Sequence, residues 1–207
     1  MFKRLVSHAC LLVLLCCNLA VSAAEHGILV FGDSLSAGFG IAVSESWPAL
    51  LGQRLQTSGS ALTATNVSLS GETTAGGRTR LPAALDRFKP AIVILALGAN
   101  DGLRGLPVAN MKDNLGFMVA LAKQQGAKVL LVGMHLPPNY GPGYTQEFDA
   151  AFREIARREN VPLLPFLLEP VVFDPYAFQA DGLHPTAAAQ PRILESRDDH
   201  QRLRGMV

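Results

Sequence analysis

Four polar residues of this sequence have the types and the neighbours that nucleophilic acyl chemistry requires. Ser34 follows the apolar run 28–31, and a serine hydroxyl becomes a nucleophile only when a base takes its proton. Asp181 precedes His184 by three residues, so a tight turn would let the carboxylate bind Nδ1 and leave Nε2 free as that base. Asn100 follows a second apolar run. This set predicts a serine hydrolase with Ser34 as nucleophile, His184 as base and Asp181 as the orienting carboxylate.

An acyl-transfer mechanism also needs hydrogen-bond donors for the oxyanion. The backbone N–H groups of Ser34 and Gly71, with the side-chain amide of Asn100, would supply three donors. Gly71 has no side chain, which permits close approach to a substrate. Loss of one such donor raises the barrier by about 2.7–4 kcal/mol in a measured case. We therefore expect Ser34, Gly71 and Asn100 to form an oxyanion hole.

Alternating strands and helices must bring these residues together. Apolar runs predict strands over 28–31, 63–69, 91–97, 128–133 and 162–168, and helical periodicity predicts helices over 44–57, 74–88, 107–125 and 145–160, with a last one beginning near 186. Ser34, Gly71, Asn100 and His184 each follow a strand, and the carboxyl ends of parallel strands share one edge of a sheet. The pattern predicts a three-layer α/β sandwich with a mostly parallel sheet of about five strands.

Some polar and aromatic residues near these motifs have simpler interpretations. Asp33 and Asp101 lie in turns beside the candidate site, and we expect both to hold those turns through hydrogen bonds. Trp47 and the methionines of 107–125 are expected in the core rather than at a ligand.

The N-terminus has the order of a secretory signal peptide. Lys3 and Arg4 precede an apolar run over about 9–21, which small residues follow. The run is shorter than the ~20 residues of a spanning helix, which disfavours a membrane anchor. We expect cleavage after Ala23, with Ala24 as the alternative, so that residues 1–23 are a signal peptide and the protein is periplasmic or extracellular, with no stable membrane anchor after cleavage.

Composition limits the remaining chemistry. All three cysteines, Cys10, Cys16 and Cys17, lie in the predicted signal, so no thiol remains for a disulfide or a metal site. Lipid attachment at Cys17 is a minor alternative, which the bulky residues before it disfavour. The net charge is +1 for the whole chain. It leaves no basic surface for a nucleic acid partner.

Four segments in order resemble the SGNH (GDSL-type) hydrolases, and most of all the bacterial group of secreted arylesterases, acyl-CoA thioesterases I and lysophospholipases. The segments are 32–36 (Gly-Asp-Ser-Leu-Ser), 70–73 (Ser-Gly-Glu-Thr), 98–101 (Gly-Ala-Asn-Asp) and 181–185 (Asp-Gly-Leu-His-Pro). The resemblance implies a flavodoxin-like α/β/α sandwich over a hydrolase domain at 24–194. It also implies a small acyl ester or thioester as substrate, no metal or organic cofactor, and the catalytic and oxyanion roles given above.

Two regions outside those segments carry separate expectations. The loop 135–144 offers Leu136, Pro138 and Tyr140 as candidate substrate contacts, and Phe178 is a further candidate. Residues 195–207 are charged where the family usually continues an apolar helix, and we expect this tail to be exposed and frayed.

Two other functions stay open from the sequence. A carbohydrate O-deacetylase could use the same scaffold, and sugar acetates would distinguish it from an esterase acting on aryl esters or thioesters. A non-catalytic α/β binding protein would show no acylation of Ser34.

Overall fold

Five parallel strands form the centre of the protein. The computed structural model describes residues 27–195. The strands are β1 (Gly27–Gly32), β2 (Thr63–Asn66), β3 (Ile92–Ala96), β4 (Lys128–Val132) and β5 (Leu163–Leu164), in the order β2-β1-β3-β4-β5. Every pair is parallel. The predicted parallel sheet of about five strands is confirmed.

Seven α-helices cover the two faces of this sheet within the described residues. They are α1 (Ser34–Ala37), α2 (Trp47–Thr57), α3 (Thr74–Phe88), α4 (Ala99–Leu103), α5 (Val108–Gln124), α6 (Pro142–Glu159) and α7 (Gln190–Leu194). Short 3-10 turns occur at Val43–Glu45, Pro138–Tyr140, Pro175–Ala177 and Ala187–Ala189. No helix of the segment 27–195 is long and apolar enough to cross a membrane.

The side chains of β1 show why three layers form. Leu29 and Phe31 point into the core cluster that α3, α5 and α6 cover, whereas Ile28 and Val30 point into the cluster on the opposite face with α2 and α7. Successive strand residues face opposite sides of a sheet, so a continuous apolar strand needs cover on both. The predicted α/β/α sandwich is confirmed, and Trp47, Met111 and Met118 are buried in it as expected.

Helices α2 and α6 each begin three residues away from the position that the sequence predicts. Helix α2 begins at Trp47 rather than 44 because Ser46 Oγ donates to the Val43 carbonyl and closes a separate 3-10 turn. Helix α6 begins at Pro142 rather than 145. Gly141, at φ +84°, has a non-helical backbone conformation and precedes the helix. Pro142 occupies the first helical position, where its missing N–H is harmless. The Thr145 hydroxyl donates to Gly141 O inside the helix and does not cap it.

Strands β2 and β5 are shorter than predicted by three residues or more. Strand β2 ends at Asn66 rather than 69, although Val67 N and Leu69 N still donate to the backbone of β1 at 3.0 Å. Strand β5 has two residues rather than the seven of 162–168, because Pro165 has no N–H for the ladder.

Candidate active site

A tight turn at the end of β1 presents Ser34. The strand ends at Gly32, where an added Cβ would lie 2.8 Å from Ser36 Oγ and 2.9 Å from Ala96 O, so the turn has no room for a side chain. The carboxylate of Asp33 accepts a hydrogen bond from Leu35 N at 3.0 Å and caps the short helix α1. Ser34 is therefore the first residue of α1, at the carboxyl edge of the sheet.

His184 lies between Ser34 and Asp181 in a continuous chain of hydrogen bonds. His184 Nε2 is 2.8 Å from Ser34 Oγ, and His184 Nδ1 is 2.7 Å from Asp181 Oδ2. An ionised carboxylate only accepts, so Nδ1 is the donor of that pair. In the neutral ring Nε2 is then the acceptor and the Ser34 hydroxyl the donor. The geometry prepares the serine to lose its proton to the imidazole.

Asp181 is held by three hydrogen bonds, which keep it ionised. Its Oδ1 accepts from Leu183 N at 2.9 Å and from His184 N at 3.0 Å, while Oδ2 accepts from the ring. These bonds, foremost that from the His184 backbone N–H, lower the pKa of Asp181 to about 2. The three-residue spacing noted in the sequence therefore forms a closed turn that fixes both the ring and its tautomer.

Two residues that the sequence analysis did not select support the His184 loop. Gln179 Nε2 donates to Phe39 O at 2.8 Å and to Pro185 O at 3.0 Å, and Gln179 N donates to His184 O at 2.8 Å. The Phe39 ring lies 4.5 Å from the His184 ring and covers one side of it. These contacts join the loop after α1 to the loop that carries His184. No local pattern marks Gln179, because its partners are distant in sequence.

The three predicted oxyanion donors line the same cavity as His184. Gly71, at φ +78°, occupies a turn closed by a hydrogen bond from Glu72 N to Leu69 O at 3.2 Å. Asn100 lies in α4, and its Nδ2 donates to Glu72 O at 3.0 Å, which leaves its second N–H for another acceptor. Ser34 is the third member. The structure thus brings all three together at the sheet edge.

Asp33 holds its own turn through the Leu35 N–H, as expected, whereas Asp101 binds the start of a different helix. Asp101 accepts from Thr74 N at 2.8 Å and from Thr74 Oγ1 at 2.6 Å, and so joins α4 to the start of α3. Asp33 is 2% exposed, and burial raises its pKa to about 6, against an ordinary value of 3.8.

The cavity above Ser34 has a volume of about 940 Å³ and a mainly apolar wall. Three of the four predicted substrate contacts, Leu136, Pro138 and Phe178, line it. The fourth, Tyr140, does not line it, and its hydroxyl instead donates to the Leu103 carbonyl at 2.9 Å. Tyr140 lies on the 3-10 turn Pro138–Tyr140, and its hydrogen bond supports the end of α4.

A second histidine–aspartate pair occupies the same wall. His135 lines the cavity, its Nδ1 lies 2.8 Å from Asp149 Oδ2, and its ring packs against Phe166 at 4.5 Å. The two groups are at ion-pair distance but misaligned for a hydrogen bond, since His135 Nδ1 and Asp149 Oδ1 are both buried without a hydrogen-bond partner in the described residues. No local sequence pattern indicates this pair, because Asp149 comes from α6.

Ser34, His184 and Asp181 are hydrogen-bonded in series at the carboxyl edge of a parallel sheet. This arrangement has the geometry of an α/β serine hydrolase site. The chain belongs to the GDSL-like lipase/acylhydrolase family, whose sequence profile matches residues 30–191. The resemblance expected from the sequence is therefore confirmed.

Relatives and solved structures agree with this assignment. The chain is 46% identical to "Esterase TesA" of Pseudomonas aeruginosa over 194 residues, which cover 94% of this chain and 95% of that one. It is 41% identical to "Thioesterase 1/protease 1/lysophospholipase L1" of Escherichia coli over 174 residues, or 84% and 82% of the two chains. The structure of the psychrotrophic esterase EstA from Pseudoalteromonas sp., inhibited by monoethylphosphonate, matches with a TM-score of 0.83 and 36% identity, over 87% of this chain and 98% of that one.

Proposed function

We propose that this protein, a hydrolase of ester bonds, cleaves carboxylic esters and thioesters through an acyl-enzyme on Ser34. The observation that carries the proposal is the hydrogen-bonded series from Asp181 through His184 to Ser34, at 2.7 and 2.8 Å. The relatives named as an esterase and as a thioesterase and lysophospholipase support the substrate class. None of the relatives described above is named as a deacetylase.

Acylation begins when His184 Nε2 takes the proton of the Ser34 hydroxyl. Ser34 Oγ then attacks the substrate carbonyl carbon. The carbonyl oxygen becomes an oxyanion, and the N–H groups of Ser34, Gly71 and Asn100 donate to it. As the C–O or C–S bond breaks, the leaving group takes the proton from His184, and the acyl group remains on Ser34. Asp181 stays ionised and stabilises the imidazolium that forms in between.

Deacylation repeats these steps with water as the nucleophile. His184 takes a proton from the water, whose oxygen attacks the acyl carbon, and the oxyanion is held by the same donors. The C–O bond to Ser34 then breaks, and Ser34 Oγ recovers its proton from His184. The products are a carboxylic acid and the alcohol or thiol, and the enzyme returns to its starting protonation state.

Hydrolysis of p-nitrophenyl acetate and p-nitrophenyl octanoate by the wild type and by Ser34→Ala tests the proposal. We expect turnover by the wild type and at least a thousand-fold loss in Ser34→Ala. A fluorophosphonate probe should label the wild type at Ser34, as located by peptide mass spectrometry, and should not label the variant. Equal activity of the two proteins would show that Ser34 is not the nucleophile, and a folded wild type without activity or labelling would support a binding protein instead.

The ends of the chain complete the proposal. We infer that residues 1–23 direct export and are removed, that 24–194 form the hydrolase domain, and that 195–207 are an exposed tail. Residues 1–26 and 196–207 lie outside the described residues. N-terminal sequencing of the exported protein tests the first inference, because an intact Met1 would contradict it. Limited proteolysis tests the last, since resistance of the final ten or so residues would contradict a frayed tail.

A further inference from the structure

The peptide group that carries the Gly71 N–H lies in the middle of a four-residue turn, over 69–72. Glu72 N–H donates to Leu69 O at 3.2 Å, so Ser70 and Gly71 are its two central residues. A positive φ at the second central residue is the mark of a type II turn, and type I differs from it by rotation of the peptide between the two central residues. That peptide carries the Gly71 N–H. The closing hydrogen bond alone therefore does not determine where the N–H points.

Two side chains from α4 and its C-terminus hold the far side of this turn. Arg104 Nη2 donates to the Gly71 carbonyl at 2.9 Å, and Asn100 Nδ2 donates to the Glu72 carbonyl at 3.0 Å. These bonds hold the two peptide groups that follow Gly71, and Gly71 itself has a φ of +78°. An added Cβ at Gly71 would lie 3.8 Å from Arg104 Nη2, so the guanidinium also places a positive charge close to this residue.

Tyrosine hydroxyls fix the backbone on both sides of Arg104. Tyr140 Oη donates to Leu103 O at 2.9 Å, and Tyr144 Oη donates to Leu106 O at 2.6 Å. Arg104 N donates to Asn100 O at 3.2 Å and closes the last turn of α4. The segment 103–106 is therefore anchored to the start of α6 and to the 3-10 turn before it, and Arg104 extends from a fixed base.

We propose that Arg104 is a positioning residue for ester hydrolysis: by binding the Gly71 carbonyl it anchors this turn to the end of α4, and so holds the Gly71 N–H at the oxyanion beside the Asn100 amide. The proposal rests on the proposed function, since it assumes that Gly71 is an oxyanion donor. The contact with Gly71 is made before substrate binds, so its main effect is on the donor geometry that the transition state uses. Arg104 acts through Gly71, and Tyr140 and Tyr144 act through Arg104.

The test compares Arg104→Met and Arg104→Lys with Arg87→Met. Arg87 is a matched control because its recorded contact is with the Phe88 ring, away from the site. In Arg104→Met we expect kcat for p-nitrophenyl acetate to fall about ten-fold, with KM within two-fold of wild type. The reason is that the variant loses a hydrogen bond from a charged donor, and this bond affects the transition state more than substrate binding. Arg104→Lys should recover part of kcat, because an ammonium can still donate to the Gly71 carbonyl.

The inhibition constant of phenylboronic acid distinguishes a change at the oxyanion hole from a general loss of structure. Boron accepts an electron pair from Ser34 Oγ while His184 Nε2 takes the hydroxyl proton, and the resulting tetrahedral boronate anion places an oxygen in the oxyanion hole. We expect its Ki to rise about ten-fold in Arg104→Met, with the inhibition constant of the product p-nitrophenol unchanged. Tyr140→Phe, which keeps the ring and removes the donor to Leu103, should change kcat in the same direction by about two- to three-fold.

Three results would overturn the proposal. Arg104→Met could match Arg87→Met in kcat and boronate affinity, or it could raise KM with kcat unchanged, which would make Arg104 a substrate contact. A fall in kcat together with melting temperature, with boronate affinity unchanged, would make Arg104 merely structural. Failure of the proposed function is recognised separately, because the wild type would then show no Ser34-dependent turnover.

Discussion

Two histidines line one cavity, each paired with an aspartate, and the two pairs differ in what surrounds them. His184 Nδ1 lies 2.7 Å from Asp181, and His135 Nδ1 lies 2.8 Å from Asp149. Distance alone does not separate the pairs. The first is a regular hydrogen bond, and its carboxylate accepts two further backbone N–H groups. The second is misaligned, and one oxygen of its carboxylate is buried without a hydrogen-bond partner in the described part of the chain.

The comparison indicates that proton transfer requires a hydroxyl beside the histidine, and not only a histidine–aspartate pair. The outer nitrogen of His184 reaches Ser34 Oγ at 2.8 Å. The His135 ring instead packs on Phe166, within an apolar stretch of wall. We therefore expect the His184 pair to carry proton transfer and the His135 pair to shape the binding cavity.

Substitution of each histidine gives the largest expected difference. His184→Asn should lower kcat for p-nitrophenyl acetate by at least about a thousand-fold, because Ser34 then has no base. His135→Asn should stay within about three-fold of wild type. Steady-state hydrolysis measures both, with labelling by a fluorophosphonate as a second readout. If the His135 variant were the inactive one, the assignment of the base would be wrong.

Substitution of each aspartate extends the comparison to the second member of the pair. Asp181→Asn should lower kcat by about a hundred-fold or more, since an amide neither fixes the Nδ1–H tautomer nor stabilises the imidazolium. Asp149→Asn should leave kcat within about three-fold. The same assays measure both variants, and circular dichroism controls for folding. Equal losses in the two variants would mean that the pairs share the catalytic work.

The two pairs also show which part of a site is readable in sequence. Asp181 and His184 are three residues apart, so one local turn contains the whole pair and the sequence predicted it. His135 and Asp149 come from a loop and from α6, and only the packing of that helix on the sheet brings them together. The same reason hid Arg104, whose partner Gly71 belongs to a loop after another strand.

The strands follow the same rule. The continuous apolar run that forms β3 is buried on both faces, and the sequence pattern predicts both this strand and the polar residues after it. The pattern does not predict the lengths of β2 and β5, because these depend on how far the backbone of the neighbouring strand provides hydrogen-bond partners. Tyr140 was predicted as a substrate contact because it follows apolar residues in a loop, yet its hydroxyl donates to the Leu103 carbonyl.

A third carboxylate near the site, that of Asp33, is expected to make the free energy of unfolding depend on pH. Burial raises the pKa of Asp33 to about 6, despite opposing effects of the Leu35 N–H and of His184. Below about pH 4 both the folded and the unfolded chain hold this proton. Between about pH 4 and 6 the unfolded chain releases it first, so this group lowers the free energy of unfolding as pH rises, by about 3 kcal/mol in all.

The variant Asp33→Asn isolates that contribution, because an amide does not titrate and can still accept from Leu35 N. Urea unfolding at pH 4, 5, 6 and 7 should show the variant gaining stability relative to wild type as pH rises, with most of the gain between pH 4 and 6. Parallel curves for the two proteins would mean that Asp33 titrates near its ordinary pKa in the folded state.

The smallest effect is expected at the wall beside His135. Leu136 follows His135, lines the cavity and is 9% exposed. Leu136→Ala should lower the ratio of kcat/KM for p-nitrophenyl octanoate over the acetate by about three- to ten-fold, because the longer chain loses apolar contact. The short ester should change little, since Ser34 and His184 are untouched.

Leu106→Ala is the matched control for this last change. Leu106 is 38% exposed and does not line the cavity, and Tyr144 bonds to its backbone carbonyl, which the substitution keeps. We expect its octanoate-to-acetate ratio to equal that of wild type. Assays stay well below the melting temperature of each variant, since truncation of the buried Leu136 also lowers stability. An unchanged ratio in Leu136→Ala would place the acyl chain elsewhere in the cavity and remove the binding role of this wall, without affecting the role of the His184 pair.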